Sequence, residues 1–233
     1  MRRNLRTLFV TLLAAAVLFP ATPARADSFS IARIYIEYNE SANDLGFHVT
    51  LDGEDWTRLQ IYDPNGTKIA DLTAKGGYKN LGLTELFFEG AEPNLDEFPL
   101  EELLALFPEG EYTFIGKTAD GGQLVSTATL SHDVPAGPSI STATAPACNG
   151  DTIAVSWAPV TGPAAILPDG DIQIVEYQVI VEKFEITVPA SITSVTVPAE
   201  FYQSLSSGTH LYEVLAIDAS GNQTITEGSF EKP

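Results

Sequence analysis

Thr152-Ile-Ala-Val-Ser-Trp157-Ala-Pro159 and Val175-Glu-Tyr177-Gln-Val179-Ile-Val181 decide the fold. Ile153, Val155 and Trp157 alternate along the first stretch, and Tyr177, Val179 and Val181 along the second. A period of two places large apolar side chains on one face of an extended chain, which is the pattern of a strand with one buried side.

The same rhythm extends toward the N-terminus. Ile34, Ile36 and Tyr38 alternate, as do Phe47, Val49 and Leu51. Turn signals separate such runs: Asp52-Gly53, Asp63-Pro-Asn65-Gly66, Asp120-Gly-Gly122, Asp169-Gly170 and Gly221-Asn222. Gly and Asn tolerate the positive φ of tight turns, and Pro fixes φ at a turn's second position. Short alternating runs closed by turns are the signature of an all-β chain. One segment departs from it. Pro99, then Leu100, Leu103, Leu104 and Phe107 at helical spacing, then Pro108, predict a short helix near 97–107 with one apolar face. That face is expected to cover the open end of a sandwich core, with an exposed binding helix as the alternative.

Toward the C-terminus, Ser194-Val-Thr-Val197 and Leu205-Ser-Ser-Gly208-Thr-His-Leu-Tyr212-Glu-Val214-Leu-Ala216-Ile-Asp218-Ala-Ser-Gly221-Asn222 complete the picture. Together with the two opening stretches they resemble a fibronectin type III domain over residues 138–231: a second strand with its core tryptophan, a third strand, and late strands joined by a glycine-asparagine turn. The resemblance implies a sandwich of two antiparallel sheets. It implies no particular ligand. His210 stands where that family places the tyrosine of its corner motif, and a neutral histidine can make a similar bond to backbone. Leu106-Phe-Pro-Glu-Gly110-Glu-Tyr112-Thr-Phe114, Asp120-Gly-Gly-Gln and Ser126-Thr-Ala-Thr-Leu130 resemble the final hairpin of bacterial immunoglobulin-like domains.

Asp133-Val-Pro-Ala-Gly-Pro-Ser-Ile-Ser-Thr-Ala-Thr-Ala-Pro146 is rich in Pro, Ser, Thr and Ala and reads as a linker or first edge strand. The expected fold is therefore all-β: two tandem antiparallel β-sandwich domains. An immunoglobulin-like one spans 27–134 with a short helical insertion, and a fibronectin type III-like one spans 135–233.

Residues 1–26 read as a signal peptide. Arg2, Arg3 and Arg6 precede an apolar run from Leu8 to Phe19, and Ala24-Arg25-Ala26 supplies small residues for cleavage. The run is too short for a spanning helix, which needs roughly 20 apolar residues. No later segment is long and apolar enough to span a bilayer, so the protein is expected to be secreted or periplasmic. Cleavage would remove Arg2, Arg3, Arg6 and Arg25 and no acid, taking the formal charge from −19 to −23. Such a field repels nucleic acid and anionic lipid and favours cations and basic surfaces; an acidic surface also serves solubility. Cys148 is the sole cysteine, so no intramolecular disulfide forms and packing must hold the fold.

Candidate chemistry is sparse. The histidines are His48 and His210 on expected strands and His132 near the linker, and none lies in a catalytic motif. No serine elbow, HExxH helix, phosphate loop or paired-cysteine site occurs, so the reading is non-enzymatic. Glu40, Asn43, Asp44, Asp52, Glu54 and Asp55 flank one strand and offer oxygen ligands for calcium, with solvated turns as the equal alternative. Glu89, Glu92, Asp96, Glu97, Glu101 and Glu102 surround the helix start, where acids favour the helix dipole. Trp56 is a candidate ligand platform for sugar stacking if exposed, and a core residue if buried. Asn39, Asn65 and Asn222 begin sequons that fit surface turns.

These observations favour a secreted, non-enzymatic binding or scaffold protein whose partner is a protein or surface glycan. One alternative is an accessory carbohydrate-binding or catalytic component of extracellular polysaccharide processing. The other is a structural spacer stiffened by calcium.

Overall fold

The computed structural model describes residues 27–144 and 152–233. The expected signal peptide and Cys148 lie outside the described residues. Among the described residues the fold is all-β with three short helices. Its first half contains β1 (Ile31–Asn39), β2 (Asp44–Tyr62), β3 (Lys68–Thr73), α1 (Gly77–Leu81), β4 (Leu83–Glu89), α2 (Leu100–Leu106), β5 (Gly110–Thr118) and β6 (Gln123–Leu130). The second contains β7 (Ile140–Thr144), β8 (Ala154–Trp157), β9 (Ile174–Val181), β10 (Phe184–Pro189), β11 (Ser194–Thr196), α3 (Ala199–Ser204), β12 (Gly208–Asp218) and β13 (Gln223–Lys232).

The second half is a sandwich of a three-stranded sheet, β11-β8-β7, and a four-stranded antiparallel one, β10-β9-β12-β13. Between them lie Val155, Trp157, Tyr177, Val179, Val181, Tyr212, Val214 and Ala216, the alternating residues that the period of two places on one face. Trp157 packs against Tyr177 with ring centroids 5.2 Å apart.

In the first half, β2 serves two partners at each end. Residues 44–52 run between β1 and β4, and residues 56–62 between β3 and β5. The register shifts between Asp52 and Trp56, so Asp52-Gly53 is not the turn that its residue types predict but an irregularity inside a long strand. Glycine suits the site, since a Cβ would stand a tight 3.2 Å from the backbone of Phe29. The bend wraps the strand around a core that includes Ile36, Leu45, Trp56, Ile61, Tyr112 and Phe114, all fully buried.

Helix α2 forms where the leucine spacing predicts it, with Pro99 as its N-cap. Leu103 is buried and Phe107 stacks on Phe47 at 4.1 Å, so the helix covers the core's edge. It is not peculiar to the first half. Helix α3 follows Pro198 in the same way, and each helix leads into a glycine with positive φ, Gly110 and Gly208, that opens the next-to-last strand of its half.

The two cores are joined by one continuous ten-stranded sheet, because β1 pairs in parallel with β13 at Glu37↔Gln223, Tyr38↔Thr224 and Asn39↔Ile225. Asn222 bolts this junction. Its Oδ1 accepts from the Ile36 N–H (2.8 Å), and its Nδ2 donates to the carbonyls of Ser131 (2.9 Å) and Asp133 (2.8 Å). It is buried, as is Gly221 beside it, so its sequon does not lie on a surface turn: the side chain points into the seam. Thr224 Oγ1 donates to the Pro135 carbonyl, and Ala164 of the second half belongs to the first core.

Candidate functional site at the seam

The outward faces of β1, β2 and β4 meet beside the junction. The pairings Tyr35↔His48 and His48↔Glu89 put these three residues in one row, and Glu37↔Gly46 forms the neighbouring row on the same face. His48 is buried there, with its ring 5.1 Å from that of Tyr35 and 5.8 Å from that of Phe87. Carboxylates surround it: Glu92 Oε1 lies 3.1 Å from Nε2, Glu37 Oε1 lies 3.9 Å from Nε2, and Glu89 Oε2 lies 4.0 Å from Nδ1. One ligand atom from each of Glu37, His48 and Glu92 falls within 4.8 Å of the others, the one such group of three His, Cys, Asp or Glu donors among the described residues.

Each side chain has a positional cause. Glu92 reaches His48 by lying across Gly46, where any Cβ would stand 2.6 Å from its Cγ. Glu37 is held from across the seam, its Oε2 accepting a hydrogen bond from Gln223 Nε2. Burial pushes the Glu37 carboxyl above its ordinary value; His48 and Gln223 oppose that shift, while Glu92 and Glu213 add to it. Burial likewise raises Asp44, with Glu92 and Glu227 adding to the effect, and Glu213, with Glu227 adding. Among the described residues no Lys or Arg forms an ion pair with Glu37, Glu89 or Glu92. The carboxylates gathered at the seam therefore have His48 as their one ion-pairing partner among the described residues.

In the sequence alone His48 falls on a strand with no evident role, and Glu89 and Glu92 fall among the acids around the helix start. Only Glu101 and Glu102 occupy the first turn of α2. Register is what brings Glu89 and Glu92 to His48, and register is invisible in a local pattern. The six acidic and amide residues considered for calcium divide between opposite ends of the β1–β2 hairpin: Asp44 pairs with Asn39 and Asp52 with Ile31, and eight residues of strand span roughly 26 Å. Asn43 donates to Asp96 (3.4 Å), and the Glu40 N–H bonds the Ile225 carbonyl. At the far end, Asp52 accepts from Ser30, while Glu54 and Asp55 line an open cleft of about 580 Å³ with Asp27 and Asp120. Trp56 is fully buried in the first core, so its ring presents no surface to a sugar.

A second concavity is apolar. A cleft of about 370 Å³ opens at the edge of the first core between α2 and the sheet, lined by Phe47, Phe88, Ile69, Leu106 and Phe107 among others. No helix among the described residues is long and apolar enough to cross a membrane.

The chain matches no protein-family model, and no curated protein matches it. Among solved structures it is similar to the spore cortex lytic enzyme SleM of Clostridium perfringens, at 16% identity and a TM-score of 0.31 over 42% of this chain and 28% of that one. It is also similar to a 1.5-MDa bacterial ice-binding adhesin, at 19% identity and a TM-score of 0.28 over 86% of this chain and 63% of that one. The FN1–FN3 domains of chicken CNTN1 superpose at 13% identity and a TM-score of 0.28 over 89% of this chain and 68% of that one. The chain thus spans less than two thirds of the length of the first two of these proteins, and superpositions this partial assign neither family nor activity.

Proposed function

We propose that this protein is an exported, non-enzymatic binding or scaffold module, with a fibronectin type III-like sandwich as its second half. The observation that carries the reading is the junction. Two cores share one sheet through β1 and β13, and Asn222 and Thr224 are buried across the contact. Tandem domains joined only by a linker move relative to one another by default; here backbone pairing and buried polar bonds oppose that motion. A stiff two-core body holds its loops at fixed separation, which suits presentation of a surface to a protein or glycan partner. The acidic field favours a basic or cation-bearing partner and disfavours nucleic acid.

The test immobilises the purified chain and offers it cell-envelope fractions of the producing organism together with a panel of extracellular polysaccharides. Saturable retention of a protein or glycan, with no product released, is expected. Turnover of any offered polymer, or retention no higher than on a plain acidic protein of similar charge, overturns the reading.

A further inference from the structure

We propose that Glu37, His48 and Glu92 form a site for one transition-metal ion of the zinc type, held against the seam between the two cores. Three observations converge. The first is the donor set, one imidazole nitrogen and two carboxylates gathered within 4.8 Å. Tetrahedral zinc with bonds near 2.1 Å needs ligand atoms about 3.4 Å apart, and the distances from His48 Nε2 to Glu92 and Glu37, 3.1 and 3.9 Å, bracket that value.

The second observation is the environment of the ring. His48 is buried and faces carboxylates at both nitrogens, yet a neutral imidazole donates only one hydrogen bond. When Nε2 gives its lone pair to a metal, the ring's single proton sits on Nδ1, toward Glu89. A carboxylate hydrogen-bonded behind the ligating imidazole is the usual arrangement that fixes a metal-bound histidine, and the exposed Glu89 side chain, 4.0 Å away, stands one small rotation from that bond. The third is the opening. Gly46 leaves the space through which Glu92 reaches the ring, and Gln223 orients Glu37 from the other half. The absence of any Lys or Arg ion pair to these glutamates among the described residues leaves a divalent cation as the fitting counter-charge.

The ligand types select the metal. Calcium takes six to eight oxygens, whereas imidazole with carboxylates suits zinc and its neighbours. Because Gln223 belongs to β13 and His48 to β2, a metal here ties the junction as well as the first half.

The experiment titrates Zn²⁺ into the chelator-stripped full chain by calorimetry, with Co²⁺ as a visible-absorption probe and Ca²⁺ and Mg²⁺ as separate arms. The expected result is saturable binding of one Zn²⁺ per chain, Co²⁺ absorption bands of low coordination number, and much weaker Ca²⁺ and Mg²⁺ binding. Replacing buried His48 puts the fold at risk, so Glu92→Gln and Gly46→Ala carry the test. Glu92 is about one-third exposed at 34%, and Gly46→Ala displaces it without removing a ligand. Each should weaken Zn²⁺ roughly tenfold or more while leaving the metal-free melting temperature within experimental scatter, and Glu54→Gln at the far end of the hairpin should change nothing. Zn²⁺ binding that is absent, that survives both substitutions at full strength, or that is surpassed by Ca²⁺ overturns the proposal. None of these outcomes depends on whether the envelope fractions yield a partner.

Discussion

Asn222 shows how much one side chain can carry. Replacing it with Ala leaves the Ile36 N–H and the carbonyls of Ser131 and Asp133 without their partner inside the seam, and unsatisfied buried groups cost about 1–3 kcal/mol each where water cannot replace the bond. Asn222→Ala should therefore lower the unfolding free energy by ~2–4 kcal/mol in urea titration; a loss below about 0.5 kcal/mol, the range of an ordinary surface change, would refute the bolt. The sequence marks Asn222 as a turn residue but not as a buried one, because its partners stand 186 and about 90 positions away. His210 was legible further. Its Nε2 donates to the Ser206 carbonyl (2.8 Å) four residues upstream, just as Tyr112 Oη donates to Pro108 (3.0 Å) in the first half, so it does replace the corner tyrosine. The ring makes a second polar contact that the sequence does not show, because Nδ1 faces Glu182 Oε1 at 2.9 Å. With oxygens at both nitrogens the charged form is favoured: the Ser206 bond and then Glu182 raise its pKa above the ordinary value, against opposition from desolvation and Lys232. A raised folded value means that the contribution is fully present below the unfolded pKa near 6.5 and is lost as pH climbs through the folded one. The stability gap between wild type and His210→Gln should thus be larger at about pH 5.5 than at about pH 9. An equal gap at both would show that the ring acts by packing on Phe230 alone.

At the scale of elements, the two halves repeat one device. A proline N-cap, a helix of seven or six residues, a positive-φ glycine and a corner residue two positions later recur as Pro99, α2, Gly110 and Tyr112, and as Pro198, α3, Gly208 and His210. The glycine frees the backbone to turn sharply, the corner residue ties that turn to the strand, and the helix caps the core. Only α2 was legible beforehand, because its leucines recur at helical spacing over a full turn and more, whereas Ala199–Ser204 is too short and too mixed to show a period. The long, bent β2 was hidden for a different reason. Asp52-Gly53 carries the chemistry of a turn, and the competing demand is a close approach to Phe29 that only the assembled sheet reveals. The lid role of α2 makes two predictions at once. Leu103→Ala removes a buried contact and should cost ~2–4 kcal/mol, while Leu106→Ala, at a position 59% exposed, should stay within about 0.5 kcal/mol of wild type in the same urea titration. Equal effects at both positions would mean that the helix does not seat on the core as described.

For the whole molecule the decisive question is whether two cores behave as one. Each core owns a single tryptophan, Trp56 in the first and Trp157 in the second, and the chain has no others. Between them the parallel β1–β13 ladder, the Asn222 bonds and the packing of Ala164, Ile166 and Leu167 onto the first core all cross from one half to the other. Several buried polar bonds at roughly 1 kcal/mol each, together with this apolar contact, sum to a substantial part of the 5–15 kcal/mol that holds a typical domain. Unfolding either half alone would forfeit that sum, so the coupled transition wins. Single-tryptophan variants, Trp56→Phe and Trp157→Phe, turn this into a measurement: the fluorescence midpoints of each variant and the circular-dichroism midpoint of the same variant should coincide in denaturant. Adding Asn222→Ala to both should separate them, with the tryptophan in the less stable half reporting first. Midpoints that already differ before the junction is cut would show two independent domains, and would remove the stiffness on which the scaffold reading depends.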